Sequence, residues 1–473
     1  MTAVEGIRMP MPGGRVHPYI PNSAPGVRRE MLDYLGLGDV SELYGAIPAE
    51  LRLDRALRLP EAILPEHDLK AHVLGLLEDV VSTEDVASFL GGGCWRHFVP
   101  AICDEINNRR EFVTAYAGEA YSDHGKHQAW FEWQSLMGEL LEADFVSLPT
   151  YDWMAATSSA LLMAARLTGR SEVVVPRNLN PEKLSHMSNY CRAGLGAIHT
   201  VPFDPSTGEM DLDQLREQLS ESTAAVYFEN PTFLGTIEGR APEIVEAAHE
   251  VGALCLVGVD PISLGVLAPP AAYGADLVVG EVQPLGAHLQ AGGATCGFIA
   301  GDDDPRFAAE YPTLLETITT TEREGSWGFG WATFERTSFT KRGLSDDFTG
   351  TTSGLWAITA AVYLALLGPQ GIREVGETIM QKSHYTMACL EELPGVGVGP
   401  TAAPFKEFVV DFTGTGRTVA GINGALLESG ILGGQDLSAD FPELGQSALY
   451  CVTEVTPLEH IDRLIGTLAE VVP

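Results

Sequence analysis

The sequence predicts an α/β protein in which a large, mostly parallel sheet is followed by a smaller C-terminal α+β domain. From about residue 91, short runs rich in valine and isoleucine alternate with stretches of helical period. These runs lack in–out alternation, which is typical of parallel strands covered by helices on both faces. Strand-like runs return near the C-terminus before a last helical stretch. We therefore predict three parts, 1–90, 91–345 and 346–473.

The first part contains an extended arm followed by helices. Residues 1 to about 25 are rich in Pro and Gly and predict the arm. Two stretches of helical period follow, VRREMLDYLGL and LKAHVLGLLEDV, and they are separated by Pro48, Pro60 and Pro65. Because proline breaks helices, the sequence predicts short helical pieces in this part.

The large part alternates predicted strands and helices. The strands are EVVVP, AIHTVPF, TAAVYFEN, ALCLVGVD and DLVVGEV, and the helices are WFEWQSLMGELLEA, SSALLMAARLTGR and APEIVEAAHEVGA. Trp130, Phe131 and Trp133 in the first helix indicate helix core or a contact between subunits. The small part follows an apolar helix, SGLWAITAAVYLALLG, and contains the strands EFVVDF and ALYCVTEV and a closing helix, LEHIDRLIGTLAEV.

The segment Cys255–Gly286 has the layout of the cofactor-holding half of a pyridoxal-phosphate (PLP) enzyme. One apolar strand ends in Asp260, and a second leads into a polar turn at 281–286. In PLP enzymes that turn carries a lysine, because the carbonyl cofactor is held as an imine with a primary amine. Here the turn reads EVQPLG, and no lysine occurs between Lys183 and Lys341. Either the cofactor interpretation is wrong or another chain supplies the lysine.

Three local features each have two interpretations. Asp260 could keep a pyridine nitrogen protonated, or it could cap the turn that follows its strand. The hydroxyl-rich helix start at 151–159 could bind a phosphate, although ordinary N-capping explains it as well. His124 and His127 would share a helical face, but no third ligand is suggested, so two surface histidines are favoured over a metal site.

Composition excludes several classes of function. The net charge is -35, so nucleic-acid binding is not expected, and we interpret the acidity as a lineage-wide or halotolerant surface bias. Seven cysteines stand singly, which argues against a disulfide framework and a zinc site and fits a reducing cytoplasm. No apolar run reaches ~18 residues and no signal-peptide core is present, so we expect no membrane association and a cytoplasmic location.

Several blocks of the chain match one family in the same order. They are PYIPNSAPGVRREMLDYLGLGDVSELYGAIPAELRL, FLGGGCWRHFVPAICDEINNRREFVTAY, VDPISLGVLAPPAAYGADLVVGEVQPLG with GGATCGFIA, AVYLALLGPQGIREV, and GILGGQDLSADFPEL with CVTE. From about Pro18 to the C-terminus, the chain resembles subunit 1 of the two-subunit glycine decarboxylase, the P-protein of the glycine cleavage system. The resemblance implies a fold-type-I PLP-dependent, aminotransferase-like fold.

The resemblance also implies an enzyme, glycine dehydrogenase (decarboxylating), which is an oxidoreductase that works only with a partner. In the family, subunit 1 lacks the Schiff-base lysine and pairs with a homologous subunit 2 that carries it. Pyridoxal 5'-phosphate is then bound by the partner in an α2β2 heterotetramer, with the active site between unlike subunits. Glycine loses its carboxylate as CO2, and the aminomethyl group passes to the lipoyl group of a carrier protein.

Position along the chain, together with the resemblance, suggests which residues shape the site. The predicted set comprises catalytic, cofactor-binding and substrate-binding residues, with no metal ligand. The members are His97, Tyr116, Asp152 and Asn230 as catalytic residues, Tyr151 and Asp260 for the cofactor, and Lys341 and Arg342 for a substrate carboxylate.

Some loops depart from the family pattern. The segments AGEAYSDHGK at 117–126 and KRGLSDDF at 341–348 are rewritten, and Trp153 replaces the glycine of a Tyr-Asp-Gly turn. Because loops carry function on a fixed scaffold, the departures favour one alternative: a subunit of a pathway-specific PLP enzyme with a changed amino-acid substrate or acceptor. The lysine loss permits a second alternative, a non-catalytic stabilising or regulatory subunit. The helix from Trp130 to Leu141 and the N-terminal arm are predicted contacts with the partner.

Overall fold

The computed structural model forms two compact units, residues 1–80 and residues 81–473. The residues that it describes are 19–20, 24–53, 55, 57–112, 124–289, 296–332, 349, 353–400 and 403–472. The predicted boundaries at 90 and 345 remain a prediction.

The first unit consists of short helices separated by turns. They are α1 (Pro25–Leu35), α2 (Glu66–Leu76) and two 3-10 helices, Val40–Tyr44 and Ala49–Leu51. Helix α1 starts at a proline and ends at Gly36, whose φ of 70° gives the left-handed cap that glycine favours. Of the side chains described in this unit, only Leu32 is buried. Apart from Leu32, the described apolar side chains of α1 and α2 are therefore exposed.

The second unit carries the sheets. Its strands are β1 (Ala87–Ser88), β2 (Phe145–Val146), β3 (Glu172–Pro176), β4 (Ala197–Val201), β5 (Thr223–Glu229), β6 (Leu254–Val259), β7 (Leu277–Glu281), β8 (Gly297–Gly301), β9 (Leu315–Thr320), β10 (Trp327–Ala332), β11 (Gly397–Gly399), β12 (Glu407–Asp411), β13 (Ile431–Leu432), β14 (Gln435–Asp436) and β15 (Ser447–Cys451). Its helices are α3 (Ala101–Asn107), α4 (His124–Leu141), α5 (Trp153–Thr168), α6 (Pro181–Tyr190), α7 (Leu212–Gln218), α8 (Ala241–Glu250), α9 (Pro305–Glu310), α10 (Gly354–Glu391), α11 (Val419–Glu428) and α12 (Leu458–Val471).

The large sheet has seven strands in the order β2-β8-β7-β6-β5-β3-β4. Strands β7, β6, β5, β3 and β4 run parallel, whereas β8 and β2 are antiparallel to their neighbours. Val174 and Val257 pack on one face in a core that includes residues of α8 and α10. Val173 and Leu256 pack on the other face, in a core with α5. The predicted parallel sheet covered on both faces is confirmed.

The C-terminal region forms a four-stranded antiparallel sheet in the order β11-β12-β15-β14. Phe408, Tyr450, Ile422 and Leu464 belong to its core, which therefore joins the sheet to α11 and α12. The short strand β1 pairs in parallel with β13, so a segment that precedes the large sheet in sequence completes this region.

Helix α10 is long and apolar. It breaks at Gly368, where φ is 60°, just before Pro369. By length and composition an 18-residue window of this helix would suffice to cross a membrane, and it is the one such helix found in the described part of the chain. About half of that window, 44%, is buried, and α10 packs on α3 and α4. This arrangement is that of a core helix.

Helix α4 places its aromatic row in the core. Trp130 and Trp133 are 1% and 0% exposed, which confirms the helix-core interpretation for both side chains. His127 is also buried: its Nδ1 lies 3.0 Å from a carboxylate oxygen of Glu316, and its ring packs edge-on against Trp130 and Trp331. The expectation of a surface histidine is therefore wrong for His127, because a buried carboxylate and two indoles surround it.

Candidate functional site

A cavity of about 140 Å³ lies at the C-terminal edge of the parallel strands, where open sheets bind ligands. Three strands each contribute a carboxylate to it, and the other walls come from a glycine turn, two helix starts and the segment that leads into β12. The residues that carry the argument are Glu229, Asp260 and Glu281 at the strand ends, and Gly92, Trp95, Asp152, Trp153, Lys183, Thr232, Lys406 and Glu407 around them.

Asp260 at the end of β6 forms a buried ion pair with Lys406. The Asp260 Oδ2 and Lys406 Nζ atoms are 2.7 Å apart, and each residue is 3% exposed. The ammonium of Lys406 also lies 3.7 Å from the ring centroid of Trp95. Asp260 Oδ1 accepts a hydrogen bond from the N–H of Ile262, so the predicted turn cap is present. The charge of Asp260 is thus already balanced by a cation of the same chain.

His97 extends this ion pair into a chain of hydrogen bonds. Lys406 Nζ donates to His97 Nε2 at 2.9 Å, and His97 Nδ1 lies 2.8 Å from Glu454 Oε2. Because an ammonium only donates, Nε2 must accept, and the ring proton sits on Nδ1 and is donated to Glu454. Both ring nitrogens are therefore engaged, and the geometry assigns His97 the role of holding Lys406 in place.

Helix α5 begins with a carboxylate. Asp152 is its N-cap, and Asp152 Oδ1 accepts a hydrogen bond from the N–H of Ala155 at 2.7 Å. The N–H of Trp153, the first residue of the helix, donates a hydrogen bond to Glu281 Oε2 at 3.2 Å. Two carboxylates thus stand at the positive end of the helix, where a phosphate would otherwise bind. The N-capping interpretation is confirmed, and the neighbouring Tyr151 is exposed.

A second buried ion pair lies across the cavity. Lys183 of α6 pairs with Glu229 at the end of β5, and its ammonium lies 3.3 Å from the ring centroid of Trp153. Glu229 also accepts a hydrogen bond from the hydroxyl of Tyr227 at 2.7 Å. Burial raises the pKa of Tyr227 well above its ordinary value, so this hydroxyl remains a donor. Lys183 is thus held by a carboxylate and an indole ring.

Two further carboxyl groups in the cavity wall, Glu281 and Glu407, are buried without an ion-pair partner among the described residues. Glu281 accepts hydrogen bonds from the N–H groups of Trp153 and Gln283, and Glu407 accepts one from the N–H of Gly92 at 2.5 Å. Burial raises the pKa of each from its ordinary 4.5 to about 7. Both groups are therefore partly protonated at neutral pH.

The glycine cleavage system P-protein family model matches residues 17–428. This chain belongs to that family. It is 36% identical to a probable glycine dehydrogenase (decarboxylating) subunit 1 of Staphylothermus marinus, over 96% of this chain and 98% of that protein.

Solved structures agree with this family assignment. The crystal structure of a glycine decarboxylase (P-protein) of the glycine cleavage system, in inhibitor-bound form, has a TM-score of 0.84 and 32% identity, and the match covers 96% of this chain and 100% of that one. A cysteine desulfurase of Escherichia coli shares the fold, with a TM-score of 0.60 at 14% identity over 82% of this chain and 95% of that one. The predicted fold-type-I architecture is confirmed.

The cavity of this P-protein family member does not fit PLP. The turn after β7 offers the buried carboxyl of Glu281 in place of an imine-forming lysine. Asp260, the predicted partner of a pyridine nitrogen, is bound to Lys406. The helix end that could take the phosphate is capped by Asp152. All three anchoring positions of the cofactor are therefore used for contacts within the chain.

The remaining predicted site residues fall into two groups. Asn230 follows β5 and clamps the next loop, because its Oδ1 accepts a hydrogen bond from the N–H of Glu238 at 3.1 Å. Three predicted residues of the P-protein site lie outside the described residues: Tyr116, Lys341 and Arg342. Their roles remain predictions.

Sequence reasoning missed Lys183, Lys406 and Glu407 in this P-protein cavity. Lys406 directly precedes β12 and Glu407 is its first residue. Both lie more than 200 positions from Lys183, and only the fold brings them together. One signal was present: Lys406 and Glu407 are charged residues at the start of an apolar strand, EFVVDF, where burial requires a partner.

Proposed function

We propose that this chain is the non-lysine subunit of a heteromeric glycine-decarboxylating enzyme, a glycine dehydrogenase (decarboxylating). A homologous subunit 2 would carry pyridoxal 5'-phosphate as a Schiff base. Family membership supports the reaction, and the subunit 1 name of the relatives supports a partner. The observation that supports this division of labour is the Asp260–Lys406 pair, because it gives the predicted partner of the pyridine nitrogen a cation of the same chain.

The electron sink for decarboxylation would then belong to the partner, since it is the cofactor that accepts the electrons left by CO2. This chain would supply one wall of an active site shared by the two subunits. We extend the proposal to an α2β2 assembly and to a lipoylated carrier protein as acceptor of the aminomethyl group, as the glycine cleavage system of the family suggests. We also propose a cytoplasmic location, because the seven cysteines stand singly in the sequence without the spacing of a disulfide framework.

Co-purification with the lysine-bearing homologue tests the proposal. We expect a yellow complex that absorbs as an internal aldimine and exchanges the carboxyl carbon of glycine with labelled bicarbonate when lipoylated carrier is added. The control is this chain alone, incubated with PLP and freed of excess cofactor. It should show no absorbance of an internal aldimine. A complex that ignores glycine but reacts with another amino acid would replace the glycine assignment with the pathway-specific alternative. If subunit 2 has the same activity with and without this chain, only a stabilising role would remain for this chain.

A further inference from the structure

The cavity of this chain has more carboxylates than cations. Six acidic side chains line it, at Asp152, Glu182, Glu229, Asp260, Glu281 and Glu407, against two lysines. Each lysine is already paired with one carboxylate, and Asp152 caps α5. The two carboxyl groups left without an ion-pair partner among the described residues, Glu281 and Glu407, are buried in the cavity wall and carry a partial negative charge at neutral pH. Such a cavity repels anions and stabilises a cation that reaches it.

The walls already hold ammonium groups. The indole rings of Trp95 and Trp153 have centroids 6.4 Å apart, and the ammonium of one lysine lies over each ring. Indole faces attract cations through the ring quadrupole, most strongly in a desolvated site. The cavity walls therefore show twice how they hold an ammonium group, beside a buried carboxylate and over an indole ring.

Thr232 provides a separate sign of a ligand. Thr232 lines the cavity and is 6% exposed, and its hydroxyl oxygen has no hydrogen-bond partner in the described part of the chain. A buried hydroxyl without a partner is costly, so a ligand with a hydroxyl or carbonyl group would relieve that cost. The open volume of about 140 Å³ has room for roughly ten water-sized groups, which is sufficient for a small organic molecule.

We propose that this cavity binds a small organic cation, a primary ammonium compound with one further hydrogen-bonding group, whose ammonium pairs with Glu281 or Glu407. The described residues contain no group of three or more side chains that could hold a metal ion, which favours an organic ammonium over a metal cation. Primary ammonium fits better than quaternary, because N–H donors can satisfy the carboxylates as well as their charge. The cavity lies in this chain, whereas PLP is proposed to be held by the partner, so binding of the cation would be a property of this subunit.

Binding of the ammonium compound would release protons from the carboxyl groups of the cavity wall. Glu281 and Glu407 each have a pKa raised to about 7 by burial, and an ammonium placed beside them would lower it again. At pH 7 the cavity would therefore release a proton to the buffer as the cation enters. The other titratable groups beside Glu281 are Asp152 and Cys296, and those beside Glu407 are Lys406, Asp260 and Cys451. Asp152 caps α5 and Lys406 is paired with Asp260, while burial raises the pKa of both thiols well above the ordinary 9.0.

Isothermal titration of the purified full-length chain tests this inference with 2-aminoethanol as probe. Ethylammonium, tetramethylammonium and acetate serve as comparison ligands. We expect 2-aminoethanol to bind most tightly, ethylammonium less tightly and tetramethylammonium at least tenfold more weakly than 2-aminoethanol, with no binding of acetate. The heat at pH 7 should change with the ionisation enthalpy of the buffer, because a proton is released.

The variants Glu281→Gln and Glu407→Gln keep the shape of each side chain, and circular dichroism would check that they fold. We expect at least one of them to weaken 2-aminoethanol binding tenfold or more and to reduce the proton release. Glu443→Gln, at an exposed site away from the cavity, is the matched control and should bind like the unaltered chain. Absence of 2-aminoethanol binding at 10 mM, or equal affinity in both cavity variants and the control, would overturn the inference. Neither result depends on glycine exchange.

Discussion

At the scale of single residues, two buried ion pairs dominate the cavity at the sheet edge. Lys406 stands at its centre, because it contacts Asp260, His97 and the ring of Trp95 at once. A buried ion pair of this kind adds little stability relative to an apolar pair, but removing one partner leaves an uncompensated charge in the core. The pair therefore fixes the positions of Asp260 and Lys406 in the cavity wall more than it stabilises the fold.

Replacing Lys406 alone should destabilise the protein strongly. Lys406→Met leaves the buried carboxylate of Asp260 without a cation, and we expect the free energy of unfolding in urea to fall by about 3–5 kcal/mol. The double variant Asp260→Asn with Lys406→Met removes both charges and should recover most of that loss. A single variant that unfolds at the same urea concentration as the unaltered chain would show that water reaches the pair.

The buried carboxyl group of Glu281 should make stability depend on pH. Its folded pKa is about 7, above the ordinary 4.5, so the folded state holds this proton more tightly than the unfolded chain. The stabilisation is complete below pH 4.5 and is lost as pH rises through 7. Glu281→Gln has no carboxyl group to titrate and so avoids this loss. Between pH 4.5 and pH 8, the free energy of unfolding of the variant should rise by about 3 kcal/mol relative to that of the unaltered chain. Urea unfolding at several pH values measures this difference. If the unfolding free energies of the two proteins change with pH in parallel, the pKa of Glu281 is not raised.

At the scale of elements, the apolar pattern of the sequence predicts the buried strands. It does not predict strand direction or the burial of a polar side chain, because both depend on distant parts of the chain. The runs that became β3, β5 and β6 were recognised because a strand covered on both faces is apolar throughout. Strand β8 runs antiparallel beside β7, and no local pattern in its sequence signals that direction. His127 looked like a surface residue because its carboxylate partner, Glu316, is 189 positions away.

The same distinction governs the site. Asp260 and Glu281 could be placed at the sheet edge from the sequence, since each ends an apolar strand. Their partners could not, because Lys406 approaches from the segment before β12 of the other sheet. The sequence indicates where a side chain lies on its strand. It does not indicate which side chain of another sheet will form an ion pair with it, because that depends on the tertiary fold.

At the scale of the whole molecule, helix α2 of the first unit carries a stripe of exposed apolar side chains. In helix α2, Leu69, Val73 and Leu76 recur at positions i, i+4 and i+7, and all three are exposed. A helix with such a stripe is stable in water only when the stripe is covered. Obligate subunit interfaces are apolar and bury ~2,000 Å² or more. We therefore expect the homologous subunit 2 to cover this helix.

Changing the α2 stripe should separate assembly from folding. The triple variant Leu69→Gln, Val73→Gln and Leu76→Gln replaces exposed apolar side chains, so we expect its circular dichroism to stay unchanged. Its affinity for subunit 2 should fall at least tenfold, because each buried aliphatic side chain contributes about 1.5–3 kcal/mol. Analytical ultracentrifugation of the mixed subunits measures this, with His67→Gln and Lys70→Gln on the same helix as control. Equal affinity in the triple variant and the control would place the interface elsewhere, whereas loss of the folded signal would mean that α2 packs within its own chain.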